Sequence, residues 1–340
     1  MLVGRAPVRI SFSGGGTDLS SYYQRFGGRV VSAAINRYVY VRLNGRTDGI
    51  VQLTSGDYGS NMVFKGEKIP PPQPPFEIAL TAMRLLSING GGLDMTIDSE
   101  VPPGSGLGSS GTVAVNLVNV LASHSGKILS KSDVAEKAYE IGHDTLGFPI
   151  GKQDEYAAAY GGLNEFIFTQ DEVQVRPLKL DPEFVSELES NLMLFYLRET
   201  REATAILKQQ DSRTREGDPL ILEALHRSRE FAIETRKAIE SGDAKDLGRL
   251  LNCSWEQKKK YADRVTNPKV DAIYQAAMRA GAYGGKLTGA GGGGHFLLCC
   301  SPEYQPDVER SLASFGVKRV LFKIEPNGVS AREVGFGGDC

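Results

Sequence analysis

The sequence predicts an α+β protein made of two packed domains. Segments with the period-two alternation of strands occur in both halves of the chain, and stretches with helical periodicity lie between them. The length of 340 residues also exceeds the roughly 250–300 residues at which a single core stops growing. We place the boundary near Asp181, so the domains are expected to span residues 1–180 and 181–340.

The first half contains the clearest strand patterns. Antiparallel strands are expected at 5–12 and 29–43, where β-branched and aromatic residues alternate with others, and a further strand at 93–99. Helices are expected at 76–86, 112–124 and 132–146, the last beginning at the cap-like pair Ser132 and Asp133. The proline-rich segment 68–75 is interpreted as a stiff surface loop, with a polyproline recognition segment as the less favoured alternative.

Charged helical stretches dominate the second half. Helices are expected at 219–240, 243–261 and 268–281, and strands at 191–196, 294–300 and 317–324. No internal repeat is visible.

The composition is that of a globular protein and disfavours several functional classes. The 39 lysines and arginines balance 41 acidic residues, and no block of like charge suggests a nucleic-acid or membrane-surface partner. No apolar run approaches the ~20 residues of a membrane helix. The apolar stretch at the start of the sequence is too short for a secretory signal. Four cysteines without CxxC pairing indicate neither a disulfide framework nor a zinc site. A cytoplasmic protein is expected.

The strongest functional signal is the segment 101–112, VPPGSGLGSSGT, between a predicted strand and a predicted helix. Its alternating glycines allow successive amide N–H groups and the helix N-terminus to face one point, which is a geometry that binds phosphate. The two serines at 109 and 110 add hydroxyls for phosphate or a hard cation. A plain flexible turn is the alternative, and neither a dinucleotide fingerprint nor a Walker A loop fits the spacing.

Three further segments combine glycines with polar residues. In the run 6–19, Arg9 leads into three glycines and Asp18, which could accept hydrogen bonds from sugar hydroxyls or simply cap a turn. In the run 147–162, Asp154 follows a turn at Lys152 and could act as a base or cap a helix. The run 281–294 is so poor in side chains that its backbone is expected to pack against a ligand or another loop.

Together the four segments resemble the GHMP small-molecule kinases, in the expected order and over nearly the whole chain. That resemblance implies a two-domain fold with an N-terminal mixed sheet and helices and a C-terminal ferredoxin-like α/β sandwich. It implies ATP-dependent phosphorylation of a small molecule with Mg²⁺, by a monomer or homodimer. Within the family, the runs 14–23, 101–112, 138–141, 153–166 and 200–203 look most similar to bacterial D-glycero-D-manno-heptose 7-phosphate 1-kinases, which serve the synthesis of surface polysaccharide.

The resemblance also implies roles for individual residues. Asp154 is the expected catalytic residue, and Arg9 supports it electrostatically. The loop around the ATP phosphates is expected to comprise Pro103, Gly104, Ser105, Gly106, Leu107, Gly108, Ser109 and Ser110. Sugar binding is expected of Gly15, Gly16, Thr17 and Asp18, and of Gly291 and Gly292 in the loop 286–294, which closes over the reacting centre.

The metal ligands depart from the pattern of the family, because Gly142 stands where family kinases usually carry a metal-binding glutamate. Glu140 or Asp144 could replace it on the same helix, or phosphates and Ser110 alone could hold Mg²⁺.

For the distal phosphate of the sugar, Arg201 is the first candidate clamp, with Arg198 or Lys152 as weaker ones and a surface ion pair as the structural alternative. Another sugar 1-kinase (galactose, fucose or unphosphorylated heptose), a kinase of isoprenoid or amino-acid alcohols, and a non-catalytic sugar sensor remain alternative functions.

Overall fold

Two sheets organise the chain, which the computed structural model describes at residues 1–88, 91–198 and 203–335. The first sheet has eight strands: β1 (Leu2–Ser13), β2 (Gly28–Arg46), β3 (Ile50–Ser55), β4 (Ser60–Lys65), β5 (Gly92–Ser99), β6 (Leu163–Phe168), β7 (Val173–Pro177) and β12 (Ser330–Glu333). The second has four: β8 (Leu192–Tyr196), β9 (Gly284–Leu287), β10 (His295–Cys299) and β11 (Lys318–Val320).

The long strand β2 is a central strand of the first sheet and is paired along both of its edges. It pairs along most of its length with β1, and its other edge is shared by β5 at one end and β6 at the other. The main order is β12-β1-β2-β5-β3-β4, with β7 beside β6. Every pairing is antiparallel except β3 with β5, so the sheet is mixed, as expected.

Helices cover this sheet: α1 (Ser20–Phe26), α2 (Glu77–Leu85), α3 (Ser109–His124), α4 (Lys131–Tyr139), a π-helical turn (Glu140–Thr145) and α5 (Gln153–Tyr160). Most of α3 is buried, since its run TVAVNLVNVLA is apolar almost all round. It packs against β1 and β2 and is flanked by α4 and α5. This central position fixes the N-terminus of α3 relative to β1.

The second half has the ferredoxin-like pattern. Its strands are antiparallel in the order β11-β8-β10-β9, and the chain runs β8, helices, β9, β10, helix, β11. The helices are α6 (Pro182–Ser190), α7 (Ala203–Glu216), α8 (Pro219–Glu240), α9 (Ala244–Lys258), α10 (Pro268–Arg279) and α11 (Gln305–Ala313). A separate core around Trp255, Phe296 and Tyr274 lies here.

A shared apolar core, ion pairs of a buried glutamate and a strand pairing connect the two halves. Residues from α8 and α9 belong to the same apolar core as the first sheet. Glu165 of β6 is fully buried and accepts hydrogen bonds from Arg29 of β2 at 2.6 Å and from Arg236 of α8 at 2.9 Å. The strand β12 returns from the end of the chain to pair with β1. The boundary near Asp181 stays a prediction.

Most predicted elements agree with these bounds, and two differ. The helix expected from Ser132 begins after Ser130, whose hydroxyl and Asp133 form a reciprocal cap, and it turns π-helical at Glu140. The strand expected at 317–324 is confined to β11, with a single further bridge between Ile324 and Ile35. The segment 68–75 contains no helix or strand, as expected. None of the described helices has the length and apolar character needed to cross a bilayer.

Candidate active site

A cavity of about 180 Å³ lies where the glycine-rich segments meet. It is lined from the first half by Arg9, Gly15, Gly16, Asp18, Gly104, Gly106, Gly108, Ser109, Ser110 and Asp154 among others. From the second half, it is lined by Lys258, Lys286, Gly291 and neighbouring residues. The four segments singled out in the sequence therefore face one space.

The loop at 101–108 ends in a left-handed residue, Gly108, that begins α3. The first amides of this helix have no intrahelical carbonyl to bind, so they and the helix dipole favour an anion. The loop is anchored at both sides: the backbone N–H of Arg9 donates to Leu107 O at 3.0 Å. Burial lowers the pKa of His295 to about 4, and its neutral ring donates from Nδ1 to Ser105 O at 2.8 Å.

Glycine is required at two positions of this loop. Both Gly106 and Gly108 have positive φ, at 81° and 78°. A Cβ on Gly106 would lie 2.8 Å from Thr288 O, and one on Gly108 would lie 3.0 Å from the carboxyl carbon of Asp154. The phosphate loop is thus packed directly against both the C-terminal glycine loop and the candidate catalytic residue.

Asp154 lies in the first turn of α5 and is held by Arg9. The Arg9 guanidinium is 3% exposed and approaches Asp154 Oδ1 through Nε at 2.8 Å and Nη2 at 2.6 Å. Its Nη1 donates to Gly106 O at 2.8 Å. One arginine therefore fixes the carboxylate and the phosphate loop relative to each other.

Asp18 lies beside this pair, on the turn that follows β1. Its Oδ1 accepts the N–H of Gly16 at 2.9 Å, and its Oδ2 accepts the N–H of Gln153 at 3.2 Å. Burial, and secondarily the charge of Asp154, raises the pKa of Asp18. The side chain both caps its turn and lines the cavity, so the two interpretations of this aspartate are compatible.

The cavity does not include every predicted contact residue. Of the expected ligand-binding residues, the structure puts Pro103, Ser105, Leu107, Thr17 and Gly292 outside the cavity lining. Thr17 instead donates its hydroxyl to Gly14 O at 2.8 Å, and Gly292 donates its N–H to Val265 O at 2.7 Å. These residues help to set the conformation of the loops without lining the cavity.

Several lining residues were missed from the sequence. Lys258 ends α9, and Gln210, Ser228, Ser254 and Tyr261 also come from the second half. All of them except Tyr261, which lies in the turn after α9, are on helices of ordinary charged or polar composition, so no local signal marked them. Lys286 lay within a segment that was singled out, but its side chain received no role.

The carboxylates of Glu140 and Asp144 lie elsewhere. They line a second, polar cavity together with Lys152 and His143, whereas Ser110 lines the first. Asp144 is paired with His143 at 2.6 Å. A Cβ on Gly142 would come within 2.6 Å of the Ile150 side chain, so a glutamate could not be accommodated there without moving Ile150. Within the described residues, no group of three or more His, Cys, Asp or Glu is arranged to hold a metal ion.

The candidate distal clamp Arg201 lies outside the described residues. Ala203 and Leu207, at the start of α7, line the cavity. Lys152 is engaged by both oxygens of Glu136, at 2.8 and 2.7 Å. Arg198 is exposed, with φ of 55°.

Comparison with known proteins agrees with this geometry. The description "GHMP kinases N terminal domain" matches residues 77–162, and "GHMP kinases C terminal" matches 235–318. A D-glycero-alpha-D-manno-heptose 7-phosphate kinase from Campylobacter jejuni is 32% identical over 91% of this chain and 92% of its own length. The chain belongs to the GHMP kinase family.

Two solved structures extend the comparison across both domains. One, described as a D-glycero-D-manno-heptose 1-phosphate kinase from Bacteroides thetaiotaomicron, has a TM-score of 0.80 and 27% identity, covering 98% of this chain and 100% of the other. A putative sugar kinase from Campylobacter jejuni has a TM-score of 0.79 and 29% identity, with 98% of both chains covered. As a GHMP kinase, this protein is an ATP-dependent phosphotransferase with a hydroxyl group as acceptor.

Proposed function

We propose that this GHMP kinase phosphorylates the anomeric 1-hydroxyl of D-glycero-D-manno-heptose 7-phosphate to give the 1,7-bisphosphate, a precursor for surface polysaccharide. The observation that carries the proposal is the position of Asp154, which touches the phosphate loop on one side. On its other side, the neighbouring Gln153 binds Asp18 of the glycine turn. The heptose assignment draws its support from the relative that is 32% identical.

In the proposed reaction, the α3 N-terminus and the loop 104–110 hold the ATP phosphates. The sugar hydroxyl lies against Asp154, and its oxygen forms a bond to the γ-phosphorus while the bond from that phosphorus to the bridging oxygen breaks. The electron pair of the broken bond stays with ADP, and Asp154 takes the hydroxyl proton. Arg9 keeps the acceptor, the carboxylate and the loop aligned, which is the main requirement of phosphoryl transfer.

A divalent cation fits one part of this site. The Ser110 side chain is exposed at the cavity and makes no hydrogen bond within the described part of the chain, so its hydroxyl is available as a ligand. Bound Mg²⁺ would neutralise phosphate charge. We propose that it is held by Ser110 and the nucleotide phosphates, since Glu140 and Asp144 line the other cavity.

The 7-phosphate needs a cation away from the ATP phosphates, and we propose Arg201 for this role. It precedes Ala203, a cavity-lining residue, by two positions, whereas Lys152 is already neutralised by Glu136. A charge-assisted contact to a phosphate that is lost should cost about 2–4 kcal/mol.

The paired test compares heptose 7-phosphate with unphosphorylated heptose. Arg201→Ala should lower kcat/KM for the phosphorylated sugar by about 30-fold or more and change the other sugar little. Arg215→Ala, which removes an arginine of α7 that lies outside this cavity, is the matched control. Equal losses on both sugars would remove Arg201 from the role, and a wild-type preference for the unphosphorylated sugar would overturn the substrate assignment.

A further inference from the structure

Two lysines form part of the cavity wall, although neither was assigned a role by the sequence. Lys258 comes from the end of α9 and Lys286 from β9, and the side chains are 9% and 4% exposed at the level of the whole residue. Burying an ammonium group is costly unless something compensates for it. Their presence at one cavity calls for a ligand with the opposite charge.

Hydrogen bonds within the protein use only some of the N–H donors of each lysine ammonium. Lys258 donates to Leu287 O at 2.9 Å and to Gly289 O. Lys286 donates to Phe12 O at 3.1 Å. An ammonium has three N–H groups. After the hydrogen bonds to described residues are counted, Lys258 has one N–H group left to donate and Lys286 has two. Among those residues, neither lysine forms an ion pair with a carboxylate.

The acidic groups around the lysines are already engaged. Arg9 of β1 forms an ion pair with the carboxylate of Asp154, and the carboxylate of Asp18 accepts hydrogen bonds from backbone N–H groups. Glu155, behind Asp154 on α5, is buried, and desolvation followed by the charge of Asp154 raises its pKa well above the usual value. A positive charge on either lysine is therefore not paired with any of these carboxyl groups, and a bound anion would balance it.

The lysines also lie where the two glycine loops meet. Lys258 binds the carbonyls that begin the C-terminal loop, and a Cβ on Gly289 would lie 2.5 Å from the Cα of Gly106 in the phosphate loop. An anion held by the phosphate loop is thus brought next to them.

We propose that Lys258 and Lys286 bind the phosphoryl group that is being transferred, and that they distinguish nucleotides that carry it from those that have lost it. The lysines remain covalently unchanged while the phosphorus leaves the ADP oxygen and joins the acceptor oxygen. They stabilise the charge on its equatorial oxygens. This inference rests on ATP-dependent transfer in this cavity and not on the identity of the sugar.

The ionisation of the lysines supports the same assignment. Desolvation, then the positive charge of Arg9, lowers the pKa of Lys286 to about 7, with Asp18 acting in the opposite direction. Desolvation, followed by the charges of Lys286 and Arg9, lowers the pKa of Lys258 well below its usual value. A bound anion raises both values again, so binding of the transferable phosphoryl group should take up protons near neutral pH.

The test measures binding of ADP and of the β,γ-imido analogue of ATP, both with Mg²⁺, by calorimetry in two buffers of different ionisation enthalpy. For the wild-type protein, we expect the analogue to take up more protons than ADP. Lys286→Met and Lys258→Met should weaken analogue binding by about 30-fold or more, and ADP binding by less than about 3-fold. Both variants should also reduce the extra proton uptake.

Lys259→Met is the matched control, because Lys259 is adjacent in sequence but pairs with Glu256 at 2.8 Å. Methionine keeps the side-chain volume, and thermal unfolding reports whether each variant folds. Lys286→Arg, which keeps the charge, provides a second variant and should retain the preference for the analogue without taking up the proton.

Equal weakening for ADP and the analogue, or unchanged binding in both methionine variants, would overturn the inference. Because no sugar is present, these outcomes are independent of whether heptose 7-phosphate is the acceptor.

Discussion

The buried carboxyl of Glu155 makes a prediction that can be worked through quantitatively. The residue is 1% exposed, its Oε2 atom has no hydrogen-bond partner, and its Oε1 lies against the first turn of α3. Its pKa is raised well above the usual value, by desolvation and then by the charge of Asp154. The carboxyl is therefore neutral in the folded protein under conditions where the unfolded chain would release its proton.

This difference couples stability to pH in a defined direction. Folding takes up a proton as pH rises above the unfolded value of about 4.3, so the free energy of unfolding falls by up to about 1.4 kcal/mol per pH unit until the folded pKa is reached. Glu155→Gln has no such proton to hold. Between pH 4.5 and pH 6, the variant should gain stability relative to wild type as pH rises, by at most about 1.4 kcal/mol per pH unit.

The assay is urea unfolding of both proteins at several pH values across this range, with Glu183→Gln on the exposed surface of α6 as control. A constant difference in unfolding free energy between Glu155→Gln and wild type across this pH range would refute the reasoning.

Two further predictions concern the metal and the link between the halves. Ser110→Ala should raise the Mg²⁺ concentration needed for half-maximal rate, while Glu140→Gln and Asp144→Asn should leave it unchanged. The opposite pattern in a Mg²⁺ titration would indicate that Glu140 or Asp144 binds the metal instead. Glu165→Gln should cost about 3 kcal/mol of unfolding free energy, because it leaves its two arginine partners with a neutral amide. Glu240→Gln, which removes an exposed pairing of one of these arginines, should cost less than about 0.5 kcal/mol in the same denaturant experiment.

The parts of the site that were predictable are those encoded locally. The loop at 101–108 needs glycine at the very positions where φ is positive and the backbone meets other loops, so its composition indicated its role. Arg9 and Asp154 lie beside such segments. Apolar periodicity also predicted α3, and a charged helical pattern predicted α8, both with nearly correct bounds.

The parts that were missed depend on long-range packing. Lys258 reaches the cavity because α9 packs under β9, a contact that no local pattern records. The helix from Ser130 was expected to be one regular α-helix, but it becomes π-helical around Gly142, where Ile150 packs closely. A side chain at position 142 would have to displace the Ile150 side chain. The resemblance alone therefore could not locate the metal ligands.

The most direct test of the account is to identify the product that the wild-type protein forms from ATP and heptose 7-phosphate. Phosphorus NMR should show ADP and a new sugar phosphate resonance split by the anomeric proton, and Asp154→Asn should reduce this product by several orders of magnitude while keeping the fold. A product phosphorylated at another position, or no ADP formed with this sugar while another sugar is phosphorylated, would contradict the proposed function.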